Sequence, residues 1–361
     1  MGVVSRVNTG KHIRPKASAC TRGVMTKSNN VGADSSVTAK GVSLQTLTSG
    51  IEVSVCVVHD GVFHADDVFF AATLMLVNPN IRVVRTRYPD VIAAGNVVGD
   101  VGGVYDPATN RYDHHQKGGA GKRTNGTPYA SFGLLWQNAG WTHDLIGNIL
   151  QGGSNYSEVA RLVDARLVEA VDAADCGYVA IAGEHRSDEP RYSISAAISS
   201  FNPSWNEVGQ DFDAAFFRAV EFAQQVLRRE IIRASGEVDA RAVVRKAIAA
   251  QTDEPKILAL DKFCPWQETV IDEAPKCLFV VFPSEDGQWR VQTVPQIPGS
   301  FSARRSLPES WAGLRGAEFA AAVRASGGHL ADEEAVFCHG GLFIAGATTF
   351  EAAMQMARAA L

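Results

Sequence analysis

The sequence predicts an α/β protein, a parallel-sheet domain covered by helices, followed by a smaller α+β domain. Three observations predict it. Between residues 51 and 177, short β-branched apolar runs alternate with stretches of helical spacing. From Phe212 to Ala250 the composition is helical throughout. Beyond Lys256, apolar runs of strand length are joined by short polar turns. A chain of 361 residues is long enough for two domains with separate cores.

Composition narrows the classes. Apolar residues make up 46 % and charged residues 20 %, the balance of a globular chain. No run of 18 apolar residues occurs, so no membrane span is expected. The formal charge of −5 means that a nucleic-acid partner must be held by a local patch or by metal ions. None of the six cysteines stands at C-x-x-C spacing, which argues against a cysteine zinc site and for buried free thiols.

Residues 1–50 differ from the rest. They hold seven Lys/Arg and one acid, Asp34, among Ser, Thr, Gly and Asn. Without apolar periodicity the segment is expected to be a disordered basic extension. It lacks the apolar core of a secretory signal, and Arg6 breaks the myristoylation pattern that Met1-Gly2 begins. Its basic, acid-poor character equally suits a mitochondrial transit peptide. The expected location is therefore mitochondrion or nucleus, with cytoplasm as the alternative.

The domains expected after this extension are 51–205, with the parallel sheet, a helical linker over 206–250, and 251–361. Glu52 to Val58 reads as a buried strand and Ala65 to Val77 as a helix with Asp66 and Asp67 in its first turn. His59 to His64 turns between them around Gly61. Ile81 to Arg85 and Val97 to Val101 are the next strands, the latter carrying Asp100 near its end. Tyr112-Asp113-His114-His115 follows a turn at Pro107 and Asn110. Ligands bind outside the carboxyl ends of parallel strands. His59, Asp100 and the Asp113–His115 group should thus meet at one edge.

Those residue types suggest metal chemistry. The pattern H-x4-H-x-D … D … D-H-H mixes imidazole and carboxylate without thiolate, which suits Mn²⁺ better than structural zinc. Two cations sharing a central aspartate would serve phosphoryl transfer. Taken singly, Asp66 could be a helix cap, and Asp113 an Asx turn or a support for a ligand. A further helix runs from Leu167 to its stop at Gly177, with Asp172 and Asp175 three apart on one face. One of these carboxylates could complete a second metal site and the other support it.

At these residues the chain resembles the DHH phosphoesterase superfamily, named for its Asp-His-His motif. It is more closely similar to the melanocyte-proliferating-gene (MYG) family of DHH-like hydrolases and exonucleases. His59-Asp60-Gly61-Val62-Phe63-His64-Ala65-Asp66-Asp67, Asp100-Val101-Gly102-Gly103 and Arg111-Tyr112-Asp113-His114-His115-Gln116 carry the likeness, with Leu307-Pro308-Glu309-Ser310-Trp311-Ala312-Gly313 and His339-Gly340-Gly341 far downstream. It spans about residues 53–361.

The resemblance implies a DHH-phosphoesterase-like fold. It implies one Mn²⁺ on His59, His64 and Asp100, and another on Asp66, Asp100, His114 and Asp172, with Asp175 as the alternative to Asp172. Mg²⁺ or Co²⁺ would be the other possible ions. His115 would face the substrate phosphate, and the activity implied is 3′–5′ RNA exonuclease. Two departures stand out. H-x4-H-x-D puts a His where other DHH enzymes have Asp, and Asp60 and Asp67 replace the family's Asn and Glu.

The remaining segments serve this site. Gly118 to Thr127, with Lys117, Lys122 and Arg123 around it, is expected to be a mobile basic loop that contacts phosphates or is simply solvated. In the C-terminal part, Lys256 to Leu260, Cys277 to Pro283 and Trp289 to Val294 read as strands, the last two as a hairpin. Ala335 to Ile344 reads as another strand pair, and Thr349 to Leu361 as a closing helix. Arg304 and Arg305 are candidates for binding phosphate through their forked guanidinium groups, and His339 with Gly340-Gly341 for a close backbone approach.

The expected function is a metal-dependent phosphoesterase acting on RNA or oligonucleotides, with Asp100, His114 and His115 at its catalytic centre. The rivals are a hydrolase of a small phosphodiester or pyrophosphate, and a non-enzymatic, metal-stabilised RNA-binding or regulatory protein. Composition leaves the oligomeric state open.

Overall fold

Strand propensity concentrates in a few short runs, and these build two separate sheets. The structure is a computed structural model, and it describes residues 54–153, 155–178, 192–251, 255–300 and 302–361. The basic extension over residues 1–50 lies outside the described residues. The described residues belong to one compact unit, Val53–Leu361.

The first sheet alternates strand and helix as expected. Strand β1 (Val55–Val58) leads to α1 (Ala65–Val77), β2 (Arg82–Arg85), α2 (Pro89–Ala94) and β3 (Val97–Gly99). β4 (Tyr105–Asp106) and β5 (Arg111–Tyr112) complete it in the order β2-β1-β3-β5-β4. β1, β2, β3 and β5 run parallel, and only β4 is antiparallel. The chain goes outward from β1 to β2, then crosses back to β3, so the order reverses between β1 and β3. Such a switch point opens a crevice at the carboxyl ends. The strand expected over Val97 to Val101 stops at Gly99, because Asp100 steps into the left-handed region at φ +56.

Helix α1 is buried on nearly every side, and Phe69, Phe70 and Leu74 are fully enclosed. Its neighbours include α3 (Ser131–Trp136), α4 (Ala139–Leu150), α6 (Glu169–Asp175) and α7 (Ile194–Ser199), with α5 (Tyr156–Val163) packed on α4. The sequence reading missed α4, α5 and α7, of which α4 carries Gly and Asn and α7 Ser within a short span. The stop expected at Gly177 is present. Gly177 takes φ +61, and the Tyr178 N–H bonds back to the Ala173 carbonyl at 2.8 Å, closing α6.

Helix α8 (Phe212–Ala249) has 38 residues and extends about 57 Å. Its first half buries Phe216, Ala219, Val220, Ala223 and Leu227 in the core around α1. Its second half buries Ala240 and Val244 against Leu258, Trp266 and Val270. One rigid helix thus serves the cores of both sheets.

The second sheet comprises β6 (Ile257–Ala259), β7 (Phe279–Pro283), β8 (Trp289–Thr293), β9 (Ala335–Cys338) and β10 (Ile344–Ala347), in the order β6-β7-β8-β10-β9. β6 and β7 are parallel, and the other pairs are antiparallel, including the expected β7–β8 hairpin. Helices α9 (Gln267–Glu273), α10 (Gly316–Ala325) and α11 (Phe350–Ala359) accompany it, and Trp311 and Phe319 are fully buried. The mixed α/β class is as expected. No helix of the described residues is long and apolar enough to cross a membrane.

Phe216 shows how α8 supports the first sheet. Its ring meets Phe63 edge-on at 5.6 Å, and the Arg85 guanidinium lies 4.5 Å from its centroid. Phe216→Ala should cost about 3–5 kcal/mol, because a fully buried ring leaves a cavity. Urea unfolding of the variant against the wild type measures this.

Candidate metal centre

Three neighbouring parallel strands deliver the site. His59 follows β1, Asp100 follows β3, and Asp113-His114-His115 follow β5. Strand pairing places these ends side by side, as the sequence predicts. Asp100 is the junction. Its Oδ2 lies 3.2 Å from His59 Nε2, and its Oδ1 lies 3.3 Å from His114 Nε2 and 3.4 Å from His115 Nδ1. The Asp100 amide donates to Ser131 Oγ at 2.9 Å. That contact helps hold a left-handed backbone that aspartate tolerates better than most residues but still adopts rarely.

Buried polar atoms without partners gather here. Asp67 Oδ2, both carboxylate oxygens of Asp100 and His114 Nε2 are buried and make no hydrogen bond. Leaving such atoms unpaired is costly, so their convergence fits a cation held among them. Three groups lie within ligating distance: His59, His64 and Asp100; Asp100, His114 and His115; and His114, Asp175 and Cys176. The first two share Asp100, so its two oxygens face different clusters. The residues present therefore suit a bound metal ion.

The electrostatics agree. Burial would raise the Asp100 carboxyl, but the adjacent His114 and His59 imidazoles hold it well below the usual carboxylate range. Burial pushes Asp67 up to about 7, although His59 opposes it. For His59 and His114, burial acts to lower the pKa, but Asp100 and the other carboxylates outweigh it and raise both.

The remaining expected residues fall into three sets. Asp175 and His64 join the site: Asp175 Oδ2 is 3.1 Å from His114 Nε2, and its Oδ1 is 4.0 Å from His64 Nδ1. Asp113 stands behind His115, accepting from the His115 amide and lying 2.8 Å from its Nδ1, with the Gly103 N–H on its other oxygen.

Asp66 and Asp172, also expected as ligands, lie close by and accept hydrogen bonds from the chain. Asp66 accepts the N–H groups of Ser131 and Phe132 at 3.0 and 2.7 Å and so caps α3. Asp172 accepts from Arg123 at 2.7 Å and from the Gly133 N–H at 3.0 Å. Residue 133 must be glycine for this approach, since a Cβ there would stand 1.8 Å from Asp172 Oδ2. One helical turn separates Asp172 from Asp175, and spacing alone does not say which carboxylate reaches the strand ends.

The far candidates do not line the cleft over this centre. Arg304 does not hold out a free fork: it donates to the carbonyls of Ile271, Ala274 and Cys277, tying α9 to the second sheet. Arg305 is exposed, and His339 accepts the Gly341 N–H in its own turn, packed on Phe343. A cleft of about 760 Å³ opens over the metal centre, and among the described residues none beyond Ser199 lines it. Arg123 is no surface phosphate contact either. It turns inward to Asp164 and Asp172 and covers the Tyr129 ring at 4.3 Å.

Three participants had no sequence signal of their own. Cys176 Sγ lies 3.7 Å from His114 Nδ1, the ring nitrogen opposite the one facing Asp100. Ser131 holds the Asp100 amide, and Arg87 lines the cleft. Cys176 directly follows Asp175, and that adjacency was its one available clue.

Two outcomes follow from this geometry. Arg123→Met strips a buried carboxylate of its partner and should destabilise the fold by about 3–5 kcal/mol, read from urea unfolding. The carboxylates around His59 and His114 raise their pKa values and so favour the protonated imidazoles in the metal-free protein. These protonated imidazoles stabilise the metal-free fold below about pH 6.5, and that stability is lost as pH rises through the raised values. An incoming cation must displace the protons. Mn²⁺ affinity should therefore rise from pH 6 to pH 8, and calorimetry in buffers of different ionisation enthalpy should show proton release.

Comparison with known proteins identifies the family. A family model described as "Uncharacterised protein family (UPF0160)", the MYG1 exonuclease family, matches residues 55–361. The human protein named MYG1 exonuclease is 36 % identical over 331 residues, 84 % of each chain. The Saccharomyces cerevisiae MYG1 protein is 34 % identical over 341 residues, covering 87 % of this chain and 97 % of the yeast one. The Caenorhabditis elegans MYG1 protein is 32 % identical over 334 residues. No solved structure matches the chain significantly. A family match over nearly all of the described chain, with relatives above 30 % identity, shows that the chain belongs to the MYG1 family.

Proposed function

We propose that this chain is a metal-dependent phosphoesterase of the DHH type, acting as a 3′–5′ exonuclease on RNA. The observation that carries the reading is the Asp100 carboxylate, whose two buried, unpartnered oxygens face two separate imidazole groups. That arrangement suits a pair of divalent cations with one shared carboxylate. His59, His64 and Asp100 would hold one, and Asp100, His114 and Asp175 the other, with Mn²⁺ favoured by the nitrogen and oxygen donors. When bound, such ions supply water activation and neutralise charge on a phosphate.

The chain's own residues do the rest. Asp113 accepts from His115 Nδ1–H, which leaves Nε2 free for a phosphate oxygen or a departing hydroxyl. His115 is 61 % exposed and lines the cleft, so a substrate can reach it. Cys176 beside His114 Nδ1 favours the tautomer whose Nε2 lone pair faces Asp100 and Asp175. The human, bovine and rat relatives carry the name MYG1 exonuclease, which supports a nucleic-acid substrate. A mitochondrial or nuclear location is proposed with it, from the basic character of residues 1–50.

Incubation with Mn²⁺ and a 5′-labelled oligoribonucleotide should yield a ladder that shortens from the 3′ end. Orthophosphate release from pyrophosphate without laddering would instead identify a small-molecule hydrolase. Asp100→Asn should reduce turnover by more than the about 10–100-fold typical of a residue that only supports a ligand. RNA binding without turnover in any divalent metal would sink the enzymatic reading.

A further inference from the structure

The cleft is rich in acids at its floor, yet a nucleic-acid substrate is an anion. Among the described residues, Arg87 is the one arginine or lysine in its lining. β1 and β2 pair in parallel with Val58 opposite Arg85. Two steps further along, that register sets Asp60 opposite Arg87. Their side chains meet at 3.3 Å, from Nε to Oδ1, at the mouth of the cleft. Both are well exposed, at 63 % and 49 %, so the pair is solvent-screened and easily exchanged. The closest contact is through Nε, and the exposed side chain lets the fork turn to a ligand.

The backbone beneath this pair is fixed. Arg85, with its side chain almost fully buried, donates to the Gly61 carbonyl at 2.7 Å and to Asp213 on α8. The Thr86 N–H bonds to the Val58 carbonyl at 2.8 Å and carries the ladder past the end of β2. Asn202 pairs with both the N–H and the carbonyl of Phe63. Asp60 and Arg87 thus flank hydrogen-bonded backbone beside His59, with their side chains exposed.

We infer that Arg87 is the phosphate-binding residue of this cleft and that Asp60 occupies it until an anionic phosphodiester displaces the carboxylate. This deepens the proposed function by naming the substrate contact. A guanidinium fork matches two phosphate oxygens, whereas its closest approach to Asp60 is a single 3.3 Å contact from Nε. Asp60 then acts as an electrostatic gate: it repels ligands that cannot compete for the arginine and weakens binding of those that can. Arg304 and Arg305, the arginines favoured by the sequence, do not line this cleft.

The test uses the full chain, with steady-state kinetics on an oligoribonucleotide in Mn²⁺ and anisotropy of the fluorescein-labelled oligoribonucleotide with EDTA present. Arg87→Gln should raise KM by about 10–100-fold, the worth of a charge-assisted contact, with a much smaller change in kcat. Its log–log salt slope of binding should flatten by about 0.7. Arg87→Lys, which keeps the charge but loses the fork, should fall between. Asp60→Asn should act oppositely and lower KM by about 2–5-fold. Circular dichroism checks that each variant folds.

An unchanged KM and salt slope in Arg87→Gln, or a loss confined to kcat, overturns the inference while leaving the hydrolase reading intact. An Asp60→Asn variant that binds more weakly overturns the gate. If the wild type binds the oligoribonucleotide but cleaves it in no metal, the hydrolase reading falls, and the affinity of Arg87→Gln still decides the grip. A wild type that does not bind the oligoribonucleotide at all overturns both.

Discussion

The rest of the structure depends on one buried carboxylate with nothing to bond to. Asp100 sits between two imidazole groups, each of its oxygens turned to a different one, and no donor satisfies either. Around it the chain buries Asp66, Asp67 and Asp172, with Asp175 nearly as enclosed. Such crowding is tolerable only where each charge is answered. The N-terminus of α3 answers Asp66, and Arg123 answers Asp172. What is left unanswered is the set of atoms between His59, Asp67, Asp100 and His114, and a cation is the economical answer.

The scaffold exists to hold that set still. Parallel strands bring His59, Asp100 and His114 to one edge, and the reversal of strand order between β1 and β3 opens the space above them. Behind the edge, α1 supplies a dry wall of Phe69, Phe70 and Leu74. Arg85 ties the turn after β1 to the start of α8, the same helix that reaches the core of the second sheet. Rigid elements of this kind keep ligands within the narrow tolerance that coordination demands.

Much of the site was legible because it is made of local spacing. A histidine directly after an apolar strand, an aspartate after another, and Asp-His-His after a turn are positions on the chain, and parallel pairing turns positions into proximity. The candidate metal ligands sit where strands end, and strand ends can be read. The division of labour among the aspartates could not be read. Asp66 faces the N–H groups of Ser131 and Phe132, and Asp172 faces Arg123 across 49 residues of sequence. Neither partner is visible in a local window. The same holds for Arg304, whose three carbonyl partners come from α9 and the segment after it.

By itself the sequence determined the α/β class, the strands that end in candidate ligands, the stop at Gly177 and the residue types that suit a divalent metal. These follow from periodicity, backbone preference and donor chemistry, all of which act over a few residues. Only the tertiary structure decided that Asp175 rather than Asp172 approaches His114, that Cys176 stands behind that imidazole, and that Arg87 rather than Arg304 faces the cleft. The physical reason is that a buried charge takes whichever partner the packing of distant segments brings within about 3 Å, and that partner is not written next to it in the chain.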